Sequence, residues 1–369
     1  MNSCSGKYFW AILLVSSTIT LGGCRSLQET STAASKPTVS ETTSESTAAK
    51  ETETFAQNRD PNAIELSIPI DCNLGEDCFI MQYVDRDPDP NEEIDFGCGR
   101  QTYDTHKGTD FSLPDDTAVD EGVAVVASAA GTVLRVRDGV PDVRANDAQV
   151  QAVEAQGIEC GNGMVIDHGD GWETQYCHLR NGSVVVEPGT EVEQGDVLGM
   201  VGLSGKTQFP HVHMTVRYEG EVVDPFVGVT AEPGCNIDRR PLWDRPLEYT
   251  PTGLIRAGFA TEQPNFDRLW DGDFSETEFD RDIPALIFWT FSYGVLEGDV
   301  QEFRLYDPEG KEFVNQASEI EESNRTWMSF VGKRNTSERP ITPGTWRGEY
   351  ELKRGDEVIF SVEREISIR

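Results

Sequence analysis

The sequence predicts an all-β protein, a compact β-barrel or sandwich followed by a second β-sandwich of immunoglobulin-like type. Three observations predict it. Between Val123 and Val201, short Val-rich runs are separated by Gly at regular spacing, the pattern of a small barrel or sandwich. Beyond residue 250, aromatic and β-branched residues alternate with charged ones, as in half-buried strands. Between them stands Phe209-Pro210-His211-Val212-His213-Met214-Thr215-Val216. On a strand successive side chains point to opposite faces, so His211 and His213 emerge together while Val212, Met214 and Val216 pack inward.

The chain of 369 residues is long enough for two domains with real cores. Its formal charge of −34, from 65 acids against 31 bases, argues against nucleic acid as a partner, because phosphate binding needs basic patches. At the N-terminus Lys7 precedes an apolar run, Tyr8 to Ile19, too short to span a membrane, which ends at Leu21-Gly22-Gly23-Cys24. This resembles a bacterial lipoprotein signal. The resemblance implies a signal peptide over residues 1–23, lipidation of Cys24 and anchoring to a membrane through it. Residues 24–62 are rich in Ser, Thr and Glu and have almost no large apolar residue, which predicts a disordered tether. Six cysteines remain after Cys4 and Cys24, an even number that in an exported chain reads as disulfides. Cys72 and Cys78 close a short loop, Cys160 and Cys177 lie on opposite arms of a predicted hairpin, and Cys98 is left with Cys235.

The first domain is expected over residues 63–240. Ile64 to Phe96 reads as a strand followed by an acidic loop, Asp85 to Glu93. Val123–Ala127 and Gly131–Val136 are strand-like, and an insert over 137–157 has a helical pattern near Ala148–Ala155. A hairpin follows, Gly163–Asp167 and Trp172–Tyr176 around a turn at His168–Gly171. Strand-like Val184–Val186 and Val197–Val201 come next. A Pro-rich connector from Cys235 to Pro251 leads into the second domain, 250–369. Its strands are expected at Leu286–Phe291, Glu302–Leu305, Trp327–Val331 and Trp346–Leu352, with a turn at Lys353–Asp356 into Val358, Phe360 and Val362. No chemistry is legible there, and packing or an unidentified protein partner is its expected role.

The chemistry rests on few residues, since the chain has five histidines. His106 is followed four residues on by Asp110, and His213 completes a His-Asp-His set. Three protein ligands leave a fourth zinc position for water, the catalytic arrangement. Zinc would lower that water's pKa to about 7 and polarise a substrate carbonyl. His178 and His211 remain to take a proton from the attacking water and to stabilise the oxyanion or protonate the leaving amine. His168 lies in the predicted turn, where a structural role is expected. Gly205-Lys206-Thr207 ends like a phosphate loop, but Met200 stands where the earlier glycine belongs, so nucleotide binding is discarded.

Together these pieces resemble the lysostaphin-like zinc endopeptidases of peptidase family M23. The matching stretches are His106-Lys107-Gly108-Thr109-Asp110, Gly161 to Gly171, Tyr176-Cys177-His178-Leu179, Val192 to Gly199 and Pro210-His211-Val212-His213, over a core of 98–226. The resemblance implies one zinc held by His106, Asp110 and His213, a catalytic pair in His178 and His211, and cleavage of amide bonds in peptidoglycan stem peptides or cross-links. Its setting would be the periplasmic face of a bacterial membrane. Many such domains have lost ligands and act as non-catalytic peptidoglycan-binding or amidase-activating modules, the alternative reading; here all five positions are filled. The departures are Cys177, the 137–157 insert, and Gln208-Phe209, where Phe209 is expected to narrow the groove.

Overall fold

The structure, a computed structural model, describes residues 63–230 and 232–369. The signal segment, Cys24 and the tether lie outside the described residues. Among the described residues no helix is long and apolar enough to cross a membrane.

The first half builds β1 (Phe79–Gln82), β2 (Thr109–Ser112), α1 (Asp116–Glu121), β3 (Ala124–Val126), β4 (Gly131–Arg137), α2 (Asp147–Gln156), β5 (Asn162–Gly169), β6 (Trp172–Leu179), β7 (Glu191–Val192), β8 (Val197–Met200), β9 (His211–Tyr218) and β10 (Glu221–Val223). Among the described residues, eight of these strands form one sheet in the order β1-β2-β9-β6-β5-β4-β7 with β10 beside β9, and β3 pairs β8. Alternation explains the core: Val212, Met214 and Val216 of β9 are buried with Phe111, Ile166 and Tyr176.

Local signals place the shorter elements. Asp115 caps α1 by accepting the Thr117 and Ala118 amides, and Asn146 and Gln149 form a reciprocal capping box on α2. The β5–β6 turn is tighter than expected. Only Asp170 (φ 50°) and Gly171 (φ 86°) form its tip, both left-handed as a two-residue turn between twisted strands requires. His168 is consequently inside β5.

One expectation needs revision. Val184–Val186 forms no strand; Val185 donates to the Leu198 carbonyl at 3.1 Å, outside the named ladders. The Pro-rich connector packs on the first core, where Leu242 and Trp243 are buried. Leu66 and Asp244 secure it there, donating to the carbonyls of Leu242 and Leu66.

The second half builds β11 (Gly253–Ala260), α3 (Phe266–Trp270), β12 (Glu278–Phe279), β13 (Ala285–Val295), β14 (Val300–Tyr306), β15 (Glu312–Glu319), β16 (Asn324–Arg334), β17 (Gly344–Arg354) and β18 (Glu357–Ile368). Sheets β11-β13-β16 and β12-β18-β17-β14-β15 enclose a second core that includes Phe288, Phe303, Trp346 and Tyr350. A third apolar cluster crosses from one half to the other: Phe79 and Met81 of β1 meet Trp270, Phe291 and Tyr293, with Phe209 against them. Disulfides join Cys72 to Cys78, Cys98 to Cys235 and Cys160 to Cys177, the expected pairings, with Cys98–Cys235 the one left over from the other two.

Candidate metal centre and active site

The register of β2 against β9 sets the site. Asp110 lies directly opposite His213, and Ser112 opposite His211. On the other side of β9, Cys177 of β6 is the partner of His213, which brings the adjacent His178 to the same place. His106 arrives from the loop before β2. Gly108 makes that approach possible, since a Cβ there would lie 2.6 Å from the His213 ring and 2.6 Å from the Met214 carbonyl.

Three ligand atoms converge. His106 Nε2 is 3.2 Å from Asp110 Oδ1 and 3.1 Å from His213 Nδ1, and His213 Nδ1 is 2.7 Å from Asp110 Oδ1. These separations resemble the edges, about 3.3 Å, of a tetrahedron whose metal–ligand bonds are about 2.0–2.1 Å. The other ring nitrogens decide what faces inward. His106 Nδ1 donates to the Tyr83 carbonyl at 2.6 Å, and His213 Nε2 lies 3.0 Å from Thr215 Oγ1. The neutral His106 ring therefore turns its Nε2 lone pair inward, and a His213 ring that donates Nε2–H to Thr215 Oγ1 does the same with Nδ1; two such lone pairs beside a carboxylate oxygen suit a cation. The residues fit a metal ion.

The electrostatics agree. Burial pushes the Asp110 carboxyl up, but the facing imidazoles of His106 and His211 outweigh it and hold the group well below the usual carboxylate range. Burial lowers His106, and Asp110 more than reverses that, leaving it above the ordinary histidine value. Both shifts say that the cluster favours positive charge.

The two remaining histidines behave oppositely. Burial, reinforced by the neighbouring His211 and His213, drives His178 well below its ordinary value, and burial likewise lowers His211. They stay neutral near pH 7. His178 Nδ1 donates to the Ser204 carbonyl at 2.8 Å, and His211 Nδ1 donates to the Phe209 carbonyl at 2.9 Å with Thr207 Oγ1 at 3.1 Å. Each thus keeps Nε2 as a base. The ring centroids are 4.7 Å apart. His178 holds φ at 67°, a left-handed conformation costing about 1–3 kcal/mol outside glycine and found often at functional sites.

All five predicted residues are therefore brought together. His168 stands apart, with Nδ1 at 2.7 Å from the Ala130 carbonyl and Nε2 at 2.7 Å from Thr174 Oγ1. A second grouping, Cys72, Asp77 and Cys78, has no thiolate to offer because its cysteines are bridged. Sequence reasoning missed the carbonyls of Tyr83 and Ser204, which no side-chain pattern marks. It also missed Thr215, although its place two residues after His213 on β9 puts it on the same face. Phe209 stacks on His211 with centroids 4.4 Å apart and also faces Trp270.

Residues 104–225 match the family described as Peptidase family M23. The match covers about a third of the chain. All five histidine and aspartate positions of the site lie inside it. The M23 region is similar to the "Cell division protein DipM" of Caulobacter vibrioides, 33% identical over 94 residues, 26% of this chain and 15% of that one. It is also similar to the "DD-carboxypeptidase/endopeptidase Mpg" of Neisseria meningitidis, 30% identical over 125 residues, 34% of this chain and 23% of that one. "Peptidoglycan DD-endopeptidase ShyA" of Vibrio cholerae is 29% identical over 119 residues, 32% of this chain and 22% of that one. The chain spans less than a quarter of the length of each of these curated relatives.

Proposed function

We propose that the protein is a zinc-dependent endopeptidase that hydrolyses amide bonds in peptidoglycan stem peptides or cross-links during cell wall remodelling. The observation that carries this reading is the convergence of His106 Nε2, Asp110 Oδ1 and His213 Nδ1 beside two imidazoles. Two relatives named as endopeptidases support it. Zinc, when bound by those three atoms, supplies Lewis acidity toward a carbonyl and acidifies water. Of His178 and His211, one would accept the proton of the attacking water at Nε2 and, as the imidazolium, deliver that same proton to the leaving amine; the other, once protonated at Nε2, would hydrogen-bond the developing oxyanion. Their Nδ1–H bonds to main-chain carbonyls orient both rings for this work.

In the same proposal residues 63–240 are the peptidase domain and 250–369 a β-sandwich domain. Cys24 is acylated and holds the protein at the periplasmic face of a bacterial membrane by the 24–62 tether. Palmitate labelling that persists in Cys24→Ala would refute the anchor.

The deciding experiment incubates the zinc-loaded full chain with cross-linked muropeptides and follows dimers by chromatography and mass spectrometry. Dimers should disappear with wild-type protein. His213→Ala should lose both zinc and turnover, whereas His178→Ala should lose turnover and keep zinc. Unchanged dimers beside a working control enzyme would overturn the proposal. Stoichiometric zinc without turnover, with stimulation of an amidase, would establish the non-catalytic alternative.

A further inference from the structure

We propose that Trp270, in the half of the chain outside the M23 domain, is a positioning residue for His211 and acts through Phe209. The inference rests on the catalytic role proposed above for His211. Three rings stand nearly parallel: Phe209 lies 4.4 Å from His211 at 25° and 5.6 Å from Trp270 at 23°, centroid to centroid. Trp270 is 6% exposed and meets Phe291 of β13 edge-on at 4.8 Å. The second β body thus reaches the imidazole through a single intervening ring.

The helix that carries Trp270 is clamped to the first half. Arg256 of β11 donates to the Leu269, Gly272 and Asp273 carbonyls, and its Nε lies 3.0 Å from Asp115 Oδ2, the cap of α1. Arg144, in the insert before α2, bridges Asp116 at 2.6 Å and Asp271 at 2.7 Å. The ion pairs are short and partly shielded from solvent, and they fix α3 against α1 and the insert, whose Val143 and Ala145 amides donate to the Leu203 and Thr207 carbonyls of the loop preceding β9.

This clamp supplies something the hydrogen bonds of His211 do not. Both bonds to that imidazole meet at Nδ1, from the Phe209 carbonyl and Thr207. They hold one atom and leave the ring free to tilt about it. Tilting swings Nε2, the atom that must reach the substrate. A stacked ring opposes the tilt, and Trp270 keeps that ring in place. Misplacing a reacting group by about 1 Å can cost about a hundredfold in rate, so removing Trp270 should lower kcat while sparing KM and the metal.

The test uses the zinc-loaded full chain and compares Trp270→Leu, Trp270→Phe and Phe274→Leu. Phe274 belongs to the same apolar cluster but packs on Trp289, so it reports general loosening. Trp270→Leu should lower kcat on muropeptide dimers about tenfold or more with KM and zinc content unchanged. Trp270→Phe should restore most of the rate, and Phe274→Leu should stay within about twofold of wild type. Independently of turnover, the ring Cε1–H signal of His211, assigned with His211→Gln, should shift in Trp270→Leu while that of His168 stays still. If wild-type protein leaves muropeptides intact, the function proposal fails and this spectrum alone decides the positioning claim. An unmoved His211 signal overturns it, as does a kcat loss shared equally by Phe274→Leu.

Discussion

Asp110 and His213 face each other across the β2–β9 ladder, with His213 Nδ1 2.7 Å from Asp110 Oδ1. The carboxylate is also the oxygen against which His106 and, at 3.7 Å, His211 are aligned. One buried negative charge therefore organises both the candidate metal ligands and one candidate base. Asp110→Asn keeps the shape and removes the charge. It should weaken zinc binding by more than about a hundredfold, because changes merely around a metal ligand already cost about 10–100-fold. Competition with a metallochromic chelator measures it; unchanged zinc affinity would exclude Asp110 as a ligand.

Gly108 is a steric requirement of the same centre. A methyl group there would press on the His213 ring and the Met214 carbonyl, both at 2.6 Å. Gly108→Ala should cost about 1–3 kcal/mol of stability by overpacking. It should also lower metal content, because the ring and backbone it displaces belong to the ligand strand. Thermal melting and metal analysis of the same preparation check both.

Asp224 gives a pH signature away from the candidate metal ligands. It is 2% exposed, Oδ1 accepts the Phe226 amide at 2.9 Å, and Oδ2 is buried without a hydrogen bond. Burial raises its pKa from 3.8 to about 7. A raised carboxyl is stabilising below its unfolded pKa, and that contribution is lost as pH climbs through the folded value. Stability should therefore fall between about pH 4 and pH 7, by on the order of 4 kcal/mol for a shift this size. Asp224→Asn should flatten the dependence, with its advantage over wild type growing toward pH 8. Urea denaturation at a series of pH values decides it, and parallel curves for the two proteins would refute the assignment.

The Cys160–Cys177 bridge closes a separation of 17 residues next to His178. Loop-closure entropy assigns such a crosslink about 3 kcal/mol. The His178 amide donates to the Cys160 carbonyl at 2.8 Å, so the bridge also supports the left-handed backbone at His178. Replacing both cysteines by serine should lower stability by about that amount and reduce turnover with zinc retained. Full turnover in a correspondingly destabilised protein would separate the disulfide from the site.

Much of this was legible in the residue order. Period-two alternation in Phe209–Val216 orients His211 and His213 because strand geometry alone dictates it. Even cysteine parity and short spacings indicated the Cys72–Cys78 and Cys160–Cys177 bridges, and the gathered motifs indicated the five residues that the structure brings together. Local rules were weaker where stability is not local. Val184–Val186 has strand composition but forms no strand, and nothing in the Pro-rich connector's composition marks the burial of Trp243, which is 1% exposed.

The sequence by itself determined the all-β class, the inward and outward faces of the ligand strand, and which side chains have metal-binding chemistry. These follow from side-chain identity and short-range periodicity. Only the tertiary structure decided which ring nitrogens face inward, because the carbonyls of Tyr83, Ser204 and Phe209 that set them belong to the backbone and carry no side-chain signature. It likewise decided the meeting of Phe209 with Trp270 and of Arg144 with Asp271. Those partners are far apart in the chain, and only the packing of one β body on the other brings them into contact.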